Sequence, residues 1–324
     1  MPAPVEETPA HNLDDKCSIR VPGSPESIEV RALELERIEE LGRGAYGVVE
    51  KMLHPPSGLI MAVKRIHSTG QSESEKRTFV ELDACMKSER CPQMVRFYGA
   101  MFREGDVWLC MEVMDLPLDR FYRRCFHSSV SIPEYFLAVM ALSVIEALHF
   151  MKEHMNMMHR DVKPSNILLS KGGQVKLCDF GISGQLTNSV AKTVDRGCKP
   201  YMAPERIMGD TRSNYSVRSD VWSLGITIVE VATGTHPYSK WKTPFEQLKQ
   251  VITDPAPRLS TDKFSEQLSS FVAKCLIKEY ENRPKFGVLL EDPLMVSTKN
   301  DEPLIDMAAF VQSVLDLPDP PTRR

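Results

Sequence analysis

The sequence predicts an α+β protein: a small strand-rich half followed by a larger helical half. Three observations predict it. From about Leu33 to Met114, apolar residues fall in short runs broken by glycines and polar turns. After Met114 the apolar spacing becomes helical. The chain has 324 residues, more than one compact core usually serves, so a two-part body is expected.

The elements follow in order. Residues 1–32 are rich in Pro, Glu, Ser and Asp without a sustained period, which predicts a disordered tail. Ile38–Leu41 leads into a glycine-rich turn, and Val48–Lys51 follows it. Leu59–Ile66 is a further strand. Lys76–Lys87 reads as a helix, with Phe79, Leu82 and Met86 at helical spacing. Val95–Phe102 and Val107–Val113 flank the polar turn Arg103–Asp106. Beyond Met114, Ser131-Ile132-Pro133-Glu134 has the spacing of a capping box ahead of a long helix. Asp220–Thr233 is apolar nearly all round, which predicts a core helix stopped by Gly234.

Composition narrows the function. A 42% hydrophobic and 26% charged content is ordinary for a globular chain. The net charge of −4 argues against a nucleic-acid binder. The 8 cysteines include no Cys-x-x-Cys pair, so no structural zinc site is expected, and reduced intracellular thiols are. The apolar stretch Val221–Ala232 is too short to span a bilayer, so no membrane association is expected. No N-terminal apolar run precedes a cleavage site. The expected location is the cytoplasm, with the nucleus as a second compartment.

The chemistry lies in four motifs. Gly42-Arg43-Gly44-Ala45-Tyr46-Gly47-Val48-Val49 fits a phosphate-approaching loop. The same spacing marks dinucleotide-binding turns, but those run into a helix, and Val48 and Val49 favour a strand. Met61-Ala62-Val63-Lys64 ends a strand in a cation able to pair phosphates, with Glu81 as the carboxylate to hold it. By itself, Lys64 reads better as a solvated strand lysine. His159-Arg160-Asp161-Val162-Lys163-Pro164-Ser165-Asn166 matches a pattern whose aspartate would act as general base and whose asparagine would bind a metal ion, and the aspartate of Asp179-Phe180-Gly181 would be a second metal ligand.

On these motifs the chain resembles the eukaryotic protein kinases, over roughly Leu33 to Val296. The resemblance implies a bilobal fold, with a strand-rich N-lobe (33–114) carrying one regulatory helix and a larger helical C-lobe (115–296). It implies ATP and Mg²⁺ as cofactors. Asp161, Lys163, Lys64 and Glu81 would be catalytic, and Asn166 and Asp179 would bind metal. Leu41 through Val49, with Met111, Glu112 and Met114, would hold the nucleotide, the last two through their backbones. Ala203-Pro204-Glu205 would end the activation segment, with Arg283 paired to Glu205 and Asp220 opening the buried helix. Two substitutions within the motifs, Val63 and Val162, keep aliphatic character.

Ser189 and Thr193, four residues apart, look like the dual phosphorylation site of MAP kinase kinases. Gly197-Cys198-Lys199-Pro200-Tyr201-Met202 and Phe97–Trp108 look like the branch that activates stress-responsive MAP kinases. The resemblance implies a MAP kinase substrate, modified on threonine and tyrosine, an upstream MAP kinase kinase kinase, and scaffold proteins as partners. Arg160 is an expected anchor for a phosphate in the loop. The first thirty residues hold only Lys16 and Arg20 as positive charges, a thin basic docking signal. In the extension 297–324, Met307, Phe310, Val311, Val314 and Leu315 form one helical stripe. It fits docking of the upstream kinase and packing on the large lobe equally well.

Overall fold

The computed structural model describes residues 15–20, 27–44, 47–67, 90–179, 199–209, 217–239 and 243–320. The chain divides into two compact units. One ends at Val113; the other takes Arg90–Val95 and the chain from Met114 onward. The helix expected at Lys76–Lys87 lies outside the described residues.

In the first unit, β3 (Glu36–Gly44), β4 (Gly47–His54), β5 (Leu59–His67), β6 (Phe97–Arg103) and β7 (Asp106–Met111) form an antiparallel sheet in the order β3-β4-β5-β7-β6. β3 and β4 meet through Gly44 opposite Gly47, so the glycine loop joins strand to strand. β1 (Lys16–Arg20) and β2 (Ser27–Arg31) form a hairpin, in register from Lys16–Arg31 to Arg20–Ser27. For Lys16–Arg20 and Ser27–Arg31 this corrects the disordered reading of the tail 1–32; residues 1–14 and 21–26 lie outside the described residues. The polar composition hid an alternation that turns Ile19 and Val30 inward, both 0% exposed, into a core shared with Met52, Met61, Val63, Met101, Trp108 and Cys110. The Arg65 and Arg103 guanidinium groups lie 4.9 and 5.5 Å from the Trp108 ring, and Arg103 also donates to the Ala32 carbonyl.

The second unit is mainly helical. Its small sheet is β8 (Leu116–Pro117), β9 (Ile167–Leu169) and β10 (Val175–Leu177), in the order β10-β9-β8. Its described helices are α1 (Leu118–His127), α2 (Glu134–Met155), α3 (Pro204–Ile207), α4 (Arg218–Thr233), α5 (Pro244–Thr253), α6 (Glu266–Cys275), α7 (Phe286–Leu290), α8 (Pro293–Asn300) and α9 (Met307–Leu315). Residues Arg90–Val95, read from sequence with the first half, belong here. The Leu177 N–H donates to the Gln93 carbonyl, and the Val95 N–H donates to the Leu177 carbonyl.

Ser131 caps nothing. α2 starts at Glu134 with Pro133 at its N-cap and no side-chain cap. The Glu134 carboxylate instead accepts the Ser265 backbone N–H at the head of α6. α2 is long and apolar enough to cross a membrane by length and composition, a feature the sequence reading passed over. More than half of that window is buried inside the protein, which accounts for the apolarity. α4 is buried without a break from Ser219 to Val231, and ends at Gly234 in a left-handed conformation (φ 75°). α9 lays Val311 and Val314 inward, and Phe310 meets Phe121 and Phe136 edge-on at 5.7 and 5.5 Å. The stripe's inner face therefore packs within this unit.

Candidate active site

The second unit carries a tightly tied loop at residues 159–166. Asp220, in the first turn of α4, receives two backbone N–H groups of that loop. His159 donates to Oδ2 at 3.0 Å and Arg160 to Oδ1 at 2.8 Å. Burial pushes the Asp220 carboxyl above its ordinary range; His159, Arg206 and the two N–H donors oppose that rise. With both oxygens accepting N–H bonds, the geometry suits the ionised form. Arg160 is held at φ 66°, a region costly for a side-chain-bearing residue, and its carbonyl accepts from Arg206. A buried acceptor on a core helix thus fixes a strained loop.

Two further ties run from His159. Its Nδ1 accepts the Asp161 N–H at 3.2 Å, and its Nε2 lies 2.8 Å from the Cys178 carbonyl, so the tautomer protonated on Nε2 satisfies both. The Cys178 N–H donates to the Asn166 carbonyl at 2.9 Å. Cys178 is thereby held to both ends of the loop, which brings Asp179 beside Asn166. Asp179 also has positive φ, 60°.

The side chains converge on Asp161. Lys163 Nζ donates to its Oδ2 at 2.8 Å and Asn166 Nδ2 to the same oxygen at 2.9 Å. Asn166 Nδ2 also reaches the Asp161 carbonyl at 2.7 Å. Among the described residues no hydrogen bond falls on Oδ1. Asn166 and Asp179 offer an amide and a carboxylate, an all-oxygen donor set. A magnesium-sized ion bound largely through phosphates and water needs little more from the protein. Among the described residues there is no group of three His, Cys, Asp or Glu side chains suited to hold a metal without such help.

Behind the loop, Arg283 forks Glu205 at 2.8 and 3.1 Å, with both side chains 2% exposed or less. Ser219 donates to Glu205 Oε1, and Arg283 also donates to the Ile277 and Arg218 carbonyls. A second buried knot was missed by the sequence reading. Glu230 of α4 accepts from Tyr122 at 2.7 Å and from Tyr201 at 2.5 Å. His236 lies edge-on to Tyr201, with Nε2 3.1 Å from the Pro200 carbonyl. The available signal was one carboxylate inside an otherwise apolar run.

The nucleotide candidates lie mostly on the first unit. Gly47 has φ 140°, and a Cβ there would stand 1.7 Å from the Arg65 carbonyl oxygen, so β4 closes on β5 only with glycine. Arg43 turns onto Glu40. Gly42, Val48 and Val49 pair across β3 and β4 or β5, while Leu41 sits at a register irregularity. Lys64 is buried on β5, opposite Val49 on one side and Leu109 on the other. Met111 ends β7. The Glu112 N–H donates to the Arg96 carbonyl, and the Glu112 carboxylate accepts the Arg96 N–H in return. Met114 is buried and belongs to the second unit. Ala45, Tyr46, Glu81, Ser189 and Thr193 lie outside the described residues.

A strand-rich unit, a helical unit and an Asp161–Lys163–Asn166 loop beside Asp179 are the parts of a protein kinase, and the protein kinase domain family matches residues 35–295. The chain is 60% identical over 317 residues to the dual specificity mitogen-activated protein kinase kinase sek-1 of Caenorhabditis elegans, covering 98% of this chain and 94% of that protein. It is 44% identical over 261 residues to the MAP kinase kinase mkk-4 of the same nematode (79% and 71%). It is 41% identical over 286 residues to the dual specificity mitogen-activated protein kinase kinase hemipterous of Drosophila melanogaster, 87% of this chain and 24% of that protein. The chain belongs to the MAP kinase kinases of the protein kinase family, enzymes of dual specificity that use ATP with a divalent metal.

Proposed function

We propose that this enzyme phosphorylates the threonine and tyrosine of a stress-type MAP kinase's activation loop, with Mg²⁺ as its metal and Asp161 as its base. The observation that carries the chemical part is the Asp161 carboxylate: Lys163 and Asn166 both bond Oδ2, so Oδ1 can accept the proton of an incoming hydroxyl. Lys163 then stands where it can neutralise charge on the transferred group. Asn166 and Asp179 would hold the ion, which lowers the charge repulsion between phosphates and nucleophile. Lys64 would orient the nucleotide phosphates against the Gly42–Val49 loop.

The substrate class is supported by the relationship to sek-1 and hemipterous and by the Gly197–Met202 and Phe97–Trp108 runs. An upstream kinase acting on Ser189 and Thr193 is the matching control. Phosphate there adds close to two negative charges per site, and Arg160 is the nearest cation in sequence to the base. The working location is the cytoplasm.

The test uses purified Ser189→Glu/Thr193→Glu enzyme with ATP, Mg²⁺ and a panel of inactive MAP kinases, with sites mapped by mass spectrometry. Dual modification of a stress-type member, and little of the others, is expected. Equal modification of all of them, or modification on threonine alone, overturns the substrate assignment. A Ser189→Ala/Thr193→Ala form as active as the phosphorylated enzyme overturns the switch.

A further inference from the structure

The β1–β2 hairpin brings a second thiol against the central sheet. Gly99 on β6 stands opposite Cys110 on β7. Because Gly99 has no side chain, β1 approaches closely: a Cβ there would lie 3.1 Å from Cys17 Sγ and 3.3 Å from Cys17 Cβ. Cross-strand Cβ positions are about 5 Å apart, so Cys17 lies within reach of Cys110. The neighbouring Cys110 thiol draws the Cys17 pKa below its ordinary value against the effect of burial. The Cys17 sulfur and full burial push Cys110 up. Among the described cysteines, Cys17 is the one that is not buried; Cys110 is 0% exposed in the core beneath it. A half-buried, thiolate-prone cysteine backed by a buried protonated thiol is the arrangement of an attacking and a resolving cysteine.

We propose that Cys17 and Cys110 form a peroxide-oxidisable dithiol that closes to a disulfide, fastening the β1–β2 hairpin to strand β7. The Cys17 thiolate attacks hydrogen peroxide, the O–O bond breaks, and hydroxide leaves, giving the sulfenic acid. Cys110 sulfur then attacks Cys17 sulfur and expels hydroxide, which departs as water with the Cys110 proton. Two thiols and one peroxide become one disulfide and two waters. The bond joins the hairpin to the residue just before Met111, on the strand that pairs with Val63 and Lys64 in β5.

The test treats the full-length protein with graded hydrogen peroxide, blocks free thiols, and maps peptides by mass spectrometry without reduction. A Cys17–Cys110 linked peptide is expected, reversed by dithiothreitol and lost in Cys17→Ser. In Cys110→Ala, Cys17 should instead be captured as its dimedone adduct. Cys17→Ser alters only the half-buried partner, so it keeps the test valid should Cys110→Ala fail to fold. Two results would overturn the proposal: wild-type Cys17 trapped by dimedone while Cys110 stays a free thiol, or Cys17 left reduced after the other cysteines have oxidised.

Discussion

At the residue scale, the candidate site is held by groups behind it. Asp220 fixes two N–H groups of a loop whose Arg160 sits in a left-handed conformation, and His159 ties that loop to Cys178. The motif residues could be read from sequence because the four motifs, taken together and in order, match one family pattern. The Glu205–Arg283 pair spans 78 positions and could be named only through the family resemblance. The Glu230 knot could not be read, because Tyr122, Tyr201 and His236 converge only in the fold. His236 gives that knot a pH signature. Burial holds its imidazole below the ordinary 6.5, although Glu230 and the Pro200 and Tyr238 contacts oppose the shift. Below pH 6.5 the unfolded chain takes up a proton that folded His236 refuses, so stability falls with pH there. His236→Asn should flatten the fall of melting temperature below pH 6.5. An unchanged slope would remove His236 from that role.

At the scale of elements, two misreadings and one open alternative share one cause. The hairpin at 16–31, the start of α2 and the stripe on α9 are each decided by what packs against them. Polar composition suggested disorder, yet Ile19 and Val30 find a core. Ser131 has the capping spacing, but the chain enters α2 extended through Pro133, so its hydroxyl meets no free N–H. The α9 stripe suited docking and packing alike, and the contacts show packing. Phe310 lies against Phe121 and Phe136, and the Arg124 side chain donates to the Leu315 carbonyl at the end of the helix. Arg120 and Arg124 also bind Asp319 just beyond. Phe310→Ala is therefore expected to cost about 2–3 kcal/mol, less than a fully buried phenylalanine because Phe310 is partly exposed. A denaturation midpoint equal to wild type would show that the contact contributes nothing to stability, and would favour docking over packing for α9.

At the scale of the molecule, the two halves divide the work. The first unit presents the glycine turn and Lys64 on adjacent strands, and the second holds Asp161 and Asn166, the proposed base and a proposed metal ligand, on a loop anchored to its core helix. The order of strands then helices was plain in the sequence because periodicity reports it directly. The assignment of Arg90–Val95 to the second unit was not, since two backbone hydrogen bonds to Leu177 decide it. The central claim is that Asp161 serves phosphoryl transfer to a MAP kinase. The most direct measurement compares phosphorylated wild-type and phosphorylated Asp161→Asn enzymes by intact-mass time courses on a catalytically dead stress-type MAP kinase. The account predicts two phosphates added by wild type and turnover lower by about 10²- to 10⁴-fold in the variant, with both proteins melting alike. Equal rates from the two enzymes would contradict it.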